Sequence, residues 1–141
     1  MEGKKTNDLQ EELMSSPDLS RFLTDNQEVF VSSSFSERLQ ALFDRRDISK
    51  AALAKGSGMS EVYLYQIFSG GRNPSRNRIL CLCFGLSATL EETQDLLKDS
   101  GHAPLYVRDR RDAIILYGIL HGQTLNEVND HLFYENEPTL C

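Results

Sequence analysis

Apolar positions between residues 34 and 134 recur at spacings of three and four, which predicts a run of short amphipathic helices and no strands. Phe35, Leu39, Leu42 and Phe43 form the first clear stripe, and Ser34 with Glu37 makes a capping box at its start. A second helix opens at Ser49, with Ile48 and Leu53 as a hydrophobic staple and Leu53 and Ala54 facing inward; Gly56 and Gly58 break it. A third opens at Ser60, stapled by Met59 and Leu64, and buries Leu64, Ile67 and Phe68 before Gly70-Gly71 stops it. Pro74 and Ser75 introduce a fourth, striped by Ile79, Leu82, Cys83 and Leu86. Thr89 and Glu92 cap a fifth, which ends near Gly101. Two more are predicted, from about 109 to 121 and from Thr124, capped by Glu127, to about 134.

Ahead of these lies a more polar arm. Leu9, Leu13 and Met14 can form an amphipathic turn or two, and Pro17 begins a stretch with Leu19, Phe22 and Leu23 at helical spacing. Val29-Phe30-Val31 is an isolated apolar segment, an extended piece or an anchor for the arm, and Ser32-Ser33-Ser34 reads as a linker. The expected organisation is an arm over 1–33, a helix-turn-helix domain over 34–105 and a helical hairpin over 106–141.

The last four helices read as two copies of one hairpin. Residues 79–105 align without gaps on 114–140, an offset of 35, with identities at Ile79/Ile114, Thr89/Thr124, Leu90/Leu125, Glu92/Glu127, Asp95/Asp130, Leu97/Leu132 and Leu105/Leu140. The matches are caps and apolar positions, so the repeat preserves structure. Two copies are too few for a helical solenoid, and a core extended by one added pair of helices is the expectation.

Charge changes the picture more than composition does. The 141-residue chain carries a net charge of -6, yet residues 49–78 hold five cations, Lys50, Lys55, Arg72, Arg76 and Arg78, against Glu61 alone. The segments on either side are acidic, at -4 over 1–48 and -6 over 79–141. A polyanion is attracted by the middle and repelled by both ends, which orients it as well as binding it. The same middle segment has the layout of two short helices across a tight glycine turn, a helix-turn-helix whose second helix can enter the DNA major groove.

Residues 35–105 resemble the phage-repressor (λ repressor and Cro, XRE-type) helix-turn-helix family. The likeness rests on Leu53-Ala54, Gly58, Ser60, Leu64 and Ile67, followed by Gly70-x-Arg72-Asn73-Pro74-Ser75. Residues 106–141 lie outside the usual family domain and resemble an extension of some bacterial members. The resemblance implies an all-α, five-helix DNA-binding domain of the λ-repressor type, here with a C-terminal helical hairpin and a partly helical N-terminal arm. It places Lys50 at the start of the first motif helix and Ser60 and Glu61 at the start of the recognition helix. Tyr63, Tyr65 and Gln66 fall on that helix's exposed face, and Arg72, Asn73, Arg76 and Arg78 flank the next helix, where they grip the phosphate backbone.

The side chains fit those roles. Gln66 can pair with adenine N6 and N7, worth about 1–3 kcal/mol of discrimination, and Glu61 can accept from cytosine N4. Tyr63 and Tyr65 suit a thymine methyl or a phosphate, and equally partial burial beneath the arm. The recognition helix departs from the family in having no Arg or Lys, and Ser57 stands in the turn where an apolar residue is usual.

Other chemistries find little support. Cys81 and Cys83 are two apart on a helix and point to different faces, so they read as small packing residues, while Cys141 is expected to be mobile. His102, His121 and His131 lie in no metal-ligand spacing, and Gly70-Gly71-Arg72 lacks the Lys-Ser/Thr of a phosphate loop. No nucleophile, base and orienting group fall together, so neither an enzyme, a cofactor nor a metal is expected. No signal peptide or membrane span is legible, and a cytoplasmic location is the expectation. The expected function is a sequence-specific, dimeric transcriptional regulator that binds double-stranded DNA. The alternative is a regulatory module that keeps this shape and binds a protein partner through its acidic hairpins.

Overall fold

A computed structural model describes residues 6–25 and 32–141. The described residues are all-helical: α1 (Thr6–Ser15), α2 (Leu19–Asp25), α3 (Ser32–Asp44), α4 (Lys50–Gly56), α5 (Glu61–Phe68), α6 (Arg76–Gly85), α7 (Leu90–Asp99), α8 (Arg110–Leu120) and α9 (Leu125–Tyr134). None is long and apolar enough to cross a membrane. Val29-Phe30-Val31 lies outside the described residues. The linker expected at 32–34 is instead the first turn of α3, so Ser34 is not the cap of that helix. No glycine or proline interrupts the three serines, and nothing in them stops the helix from starting early.

One buried apolar cluster runs from Phe35 to Leu140 and takes in every helix from α3 onward. The serine and threonine caps do what their spacing predicts. Ser49, Ser60, Ser75, Thr89 and Thr124 each accept a backbone N–H in the first turn, and Thr89 and Thr124 complete capping boxes with Glu92 and Glu127. Salt links tie α3 to α7. Arg38 pairs with Asp99 and Asp95, and Arg46 donates to the Leu86 carbonyl at 2.9 Å and to Glu92 at 2.7 Å. Burial alone raises the Glu92 carboxyl; the Thr89 N–H and the Arg46 guanidinium outweigh it and hold the group below its ordinary value.

The repeat is present at the level of single hydrogen bonds. α7 and α9 are offset by 35 residues at both ends. Left-handed backbone recurs at the same offset, at Ser87 and Gly122 and again at Gly101 and Asn136. Gln94 accepts the Leu105 N–H at 2.7 Å, and its counterpart Asn129 accepts the Leu140 N–H at 2.8 Å. The repeat also extends further back than the apolar matches reach. Arg76 donates to the carbonyls of Ala103 and Pro104, and Arg111 donates to those of Pro138 and Thr139, each contact 35 residues from its twin. Each arginine bolts the start of its hairpin to its end.

The two hairpins also meet reciprocally. Arg76 reaches Asp112 in the second hairpin, and Arg111 reaches Asn77, the counterpart of Asp112, in the first. Contact of i with j and of j with i is the pattern a two-fold axis makes, so the hairpins face one another instead of stacking in series. Two glycines allow close approaches elsewhere in the core: a Cβ on Gly85 of α6 would lie 2.2 Å from Ser57 Oγ at the end of α4, and one on Gly118 of α8 would lie 2.3 Å from Val128 of α9.

Candidate nucleic-acid interface

The α4–α5 turn is a Schellman motif. The Gly58 N–H bonds to Lys55 O at 3.3 Å and the Met59 N–H to Ala54 O at 2.9 Å, with Gly58 at a φ of +65°. Leu64 and Ile67 then anchor α5 with no exposed surface, which turns its opposite side outward. Glu61, Val62, Tyr65 and Ser69 are exposed there, with Tyr63 and Gln66 half-buried along one flank. Val62, 69% exposed, is the site residue that the sequence reading passed over. Its place two residues after the Ser60 cap, on the side away from Leu64 and Ile67, was the available signal.

One flank of α5 is cationic and well braced. The guanidinium carbons of Arg72 and Arg78 stand 5.1 and 5.2 Å from the centroid of the Tyr63 ring, so both stack on it. Arg72 Nε donates to Gln66 Oε1 at 2.7 Å. The chain brings Arg72 to this place because the Gly70-Gly71 turn folds back on the helix end. The Gln66 carbonyl accepts the N–H of both Gly71 and Arg72, at 2.9 and 3.1 Å. Exposed Asn73 follows, and buried Pro74 leads into the Ser75 cap of α6.

Lys50 and Tyr65 sit together on the other flank. Lys50 Nζ lies 4.8 Å from the ring centroids of Tyr65 and Phe68 and 5.8 Å from that of Phe43, a three-ring seat for the ammonium. Tyr63 and Tyr65, read as one exposed face in the sequence, therefore point to opposite flanks of α5, as a separation of two residues on a helix requires. The Ser60 Oγ accepts the Tyr63 N–H at 3.1 Å, and its O–H can still donate outward.

Arg76 does not join this cluster. It makes a bidentate pair with Asp112 at 3.1 and 2.9 Å, in addition to its two carbonyl contacts. Burial by itself raises the Asp112 carboxyl, but Arg76, the Tyr106 N–H and Arg111 hold it below the ordinary carboxylate range. With Arg76 consumed as a strut, Lys50, Arg72 and Arg78 are the site cations that remain along α5.

Residues 39–80 match the family model described as helix-turn-helix. Over that span the chain is similar to the XRE-type helix-turn-helix. The matched span begins at Leu39 in α3 and ends at Leu80 in α6, and it contains the whole of α4, the turn and α5. No curated protein and no solved structure matches the chain. Within the matched span α5 is the second helix of the helix-turn-helix, with its outward face clear of the core.

Proposed function

We propose that this protein is a sequence-specific transcriptional regulator that lays α5 of its XRE-type helix-turn-helix in the major groove of double-stranded DNA. It acts as a two-fold dimer in the cytoplasm. The observation that carries this is the Arg72–Tyr63–Arg78 stack, held beside Gln66 on the exposed flank of α5. Arg72 and Arg78 neutralise phosphates at one edge of the groove, and Lys50 does so at the other. Asn73, Ser60 and Tyr65 add neutral backbone contacts, since such contacts set position rather than sequence.

Base reading falls to Glu61, Val62 and Gln66. Gln66 has its side-chain oxygen fixed by Arg72 before DNA arrives. That oxygen keeps a second lone pair for adenine N6–H, while the amide donates to N7. Val62 offers methyl groups to a thymine methyl, and Glu61 accepts from cytosine N4. Selection of bound duplexes from a random pool tests this: a consensus with an adenine whose preference vanishes in Gln66→Ala supports it, and a pool that never converges contradicts it.

One observation favours a protein partner as the alternative. Ile79, Leu82 and Leu96 of the first hairpin are fully buried, while their counterparts Ile114, Tyr117 and His131 line an open groove between α8 and α9, with Tyr117 52% exposed. In this alternative the acidic hairpin seats a partner there, and a gel shift at low salt shows no complex with any duplex.

A further inference from the structure

The three cysteines take different places. Cys83 is enclosed in the core, and burial pushes its thiol up to about 12. Cys81 is also fully buried, but on the side of α6 that receives the end of the second hairpin: its Sγ lies 3.8 Å from the Leu140 carbonyl. Cys141, the next residue, was expected to be mobile and is held. Asn129 Nδ2 donates to its Sγ at 3.2 Å, and the sulfur packs against Gly58, 3.4 Å from where a Cβ on that glycine would stand. The Cys81 sulfur thus lies against the carbonyl that joins Leu140 to Cys141, and the Cys141 thiol is among the groups that raise the Cys81 thiol. An exposed thiol therefore neighbours a buried one, and the exposed one sits at the turn between α4 and α5.

We propose that Cys81 and Cys141 form a peroxide-responsive disulfide site, which ties the end of the second hairpin across the helix-turn-helix turn. The oxidant is a small hydroperoxide. Cys141, the exposed sulfur, attacks its distal oxygen; the O–O bond breaks, an S–O bond forms, and with hydrogen peroxide one water leaves. The Cys81 sulfur then attacks the sulfenyl sulfur of Cys141. The S–S bond forms, the S–O bond breaks, and hydroxide takes the Cys81 proton away as a second water. Two thiols and one hydrogen peroxide thus give one disulfide and two waters. Burial first, and the neighbouring Cys141 thiol next, push the Cys81 thiol up to about 12, so it is a poor target for free oxidant and reacts through its neighbour. A reversible bond of this kind suits a reducing compartment, where protein disulfides are transient and responsive.

The test uses the full chain treated with hydrogen peroxide, alkylated, digested with trypsin without reduction and weighed. The expected product is the peptide 79–98 joined to the peptide 112–141, lighter by the about 2 Da of two hydrogens than the same two peptides reduced and bearing one alkyl group at Cys83. It forms in wild type and in Cys83→Ser, is lost on adding a thiol reductant, and is absent from Cys141→Ser. Cys141 is exposed, so that variant keeps the fold. Three results overturn the proposal: Cys141 over-oxidised to sulfinic acid while Cys81 alkylates freely after unfolding, a cross-link through Cys141 between two chains, or a linked product that disappears in Cys83→Ser.

Discussion

Arg72 and Arg76 read alike in the sequence, and the structure separates them, so replacing each in turn gives opposite outcomes. Arg76→Gln removes a bidentate pair to Asp112 at 2.9 and 3.1 Å and two bonds to the Ala103 and Pro104 carbonyls. It leaves a carboxylate whose side chain is only 8% exposed with the Tyr106 N–H as its main remaining donor. Breaking a buried pair from one side costs about 3–5 kcal/mol. Arg76 is itself 25% exposed, and glutamine can restore one bond, so about 3 kcal/mol is expected here. Arg72→Gln gives up one exposed bond to Gln66 and one face of the Tyr63 stack, under about 1 kcal/mol together. Urea denaturation reads the first quantity. Anisotropy of a labelled duplex across a salt series reads the second, where each lost phosphate contact makes the slope shallower by about 0.9. The expected result is a destabilised Arg76→Gln with an unchanged salt slope, and a stable Arg72→Gln whose slope is shallower by about one contact per chain. An Arg76→Gln protein that is as stable as wild type and has lost salt dependence refutes this division.

Ser57→Ala is expected to raise stability by about 1 kcal/mol in the same denaturation assay, because the Ser57 hydroxyl is fully buried without a partner. Gly85→Ala is expected to lower it by about 1–3 kcal/mol, since its Cβ would fall 2.2 Å from Ser57 Oγ and 3.0 Å from Leu53. Combining Gly85→Ala with Ser57→Gly removes the closest clash and recovers part of the loss. Asp112 and Glu92 both have depressed carboxyl values, so the stability they contribute is fully present above their unfolded values near about pH 4. It is lost as pH falls further, through the folded values; urea midpoints in Asp112→Asn should therefore fall less steeply below about pH 4 than in wild type, with the Glu92 share remaining. Val62→Ser is expected to relax the preference for thymine at one position of the selected site by about 1 kcal/mol while leaving the salt slope unchanged.

Most of the helical skeleton was legible because its signals are local. A cap residue and a stripe at three-and-four spacing need only neighbours in sequence, and Ser49, Ser60, Ser75, Thr89 and Thr124 all cap where expected. Ser32–Ser34 misled because a serine run suits a linker and a helix start equally well. The motif strings of α4 and α5 pointed to the family for the same local reason. The fate of Arg76 was hidden because its partners lie 27 to 36 residues away. The repeat held the answer all the same: carrying the alignment back three positions from Ile79 pairs Arg76 with Arg111, a residue of the second hairpin far from the motif. The stacking of Arg72 and Arg78 on Tyr63 depends on how the Gly70-Gly71 turn folds back, a tertiary outcome that residue spacing does not state.

Binding of duplex DNA through the cations of the α5 face, as proposed, is read by equilibrium binding of the full chain to a random-sequence duplex as a function of salt. The expected result is a complex at low salt whose log affinity falls linearly with log salt, by about 0.9 for each phosphate neutralised, and which Arg72→Glu with Arg78→Glu abolishes without unfolding the protein. No complex at low salt, or a complex indifferent to salt and to the two substitutions, contradicts it.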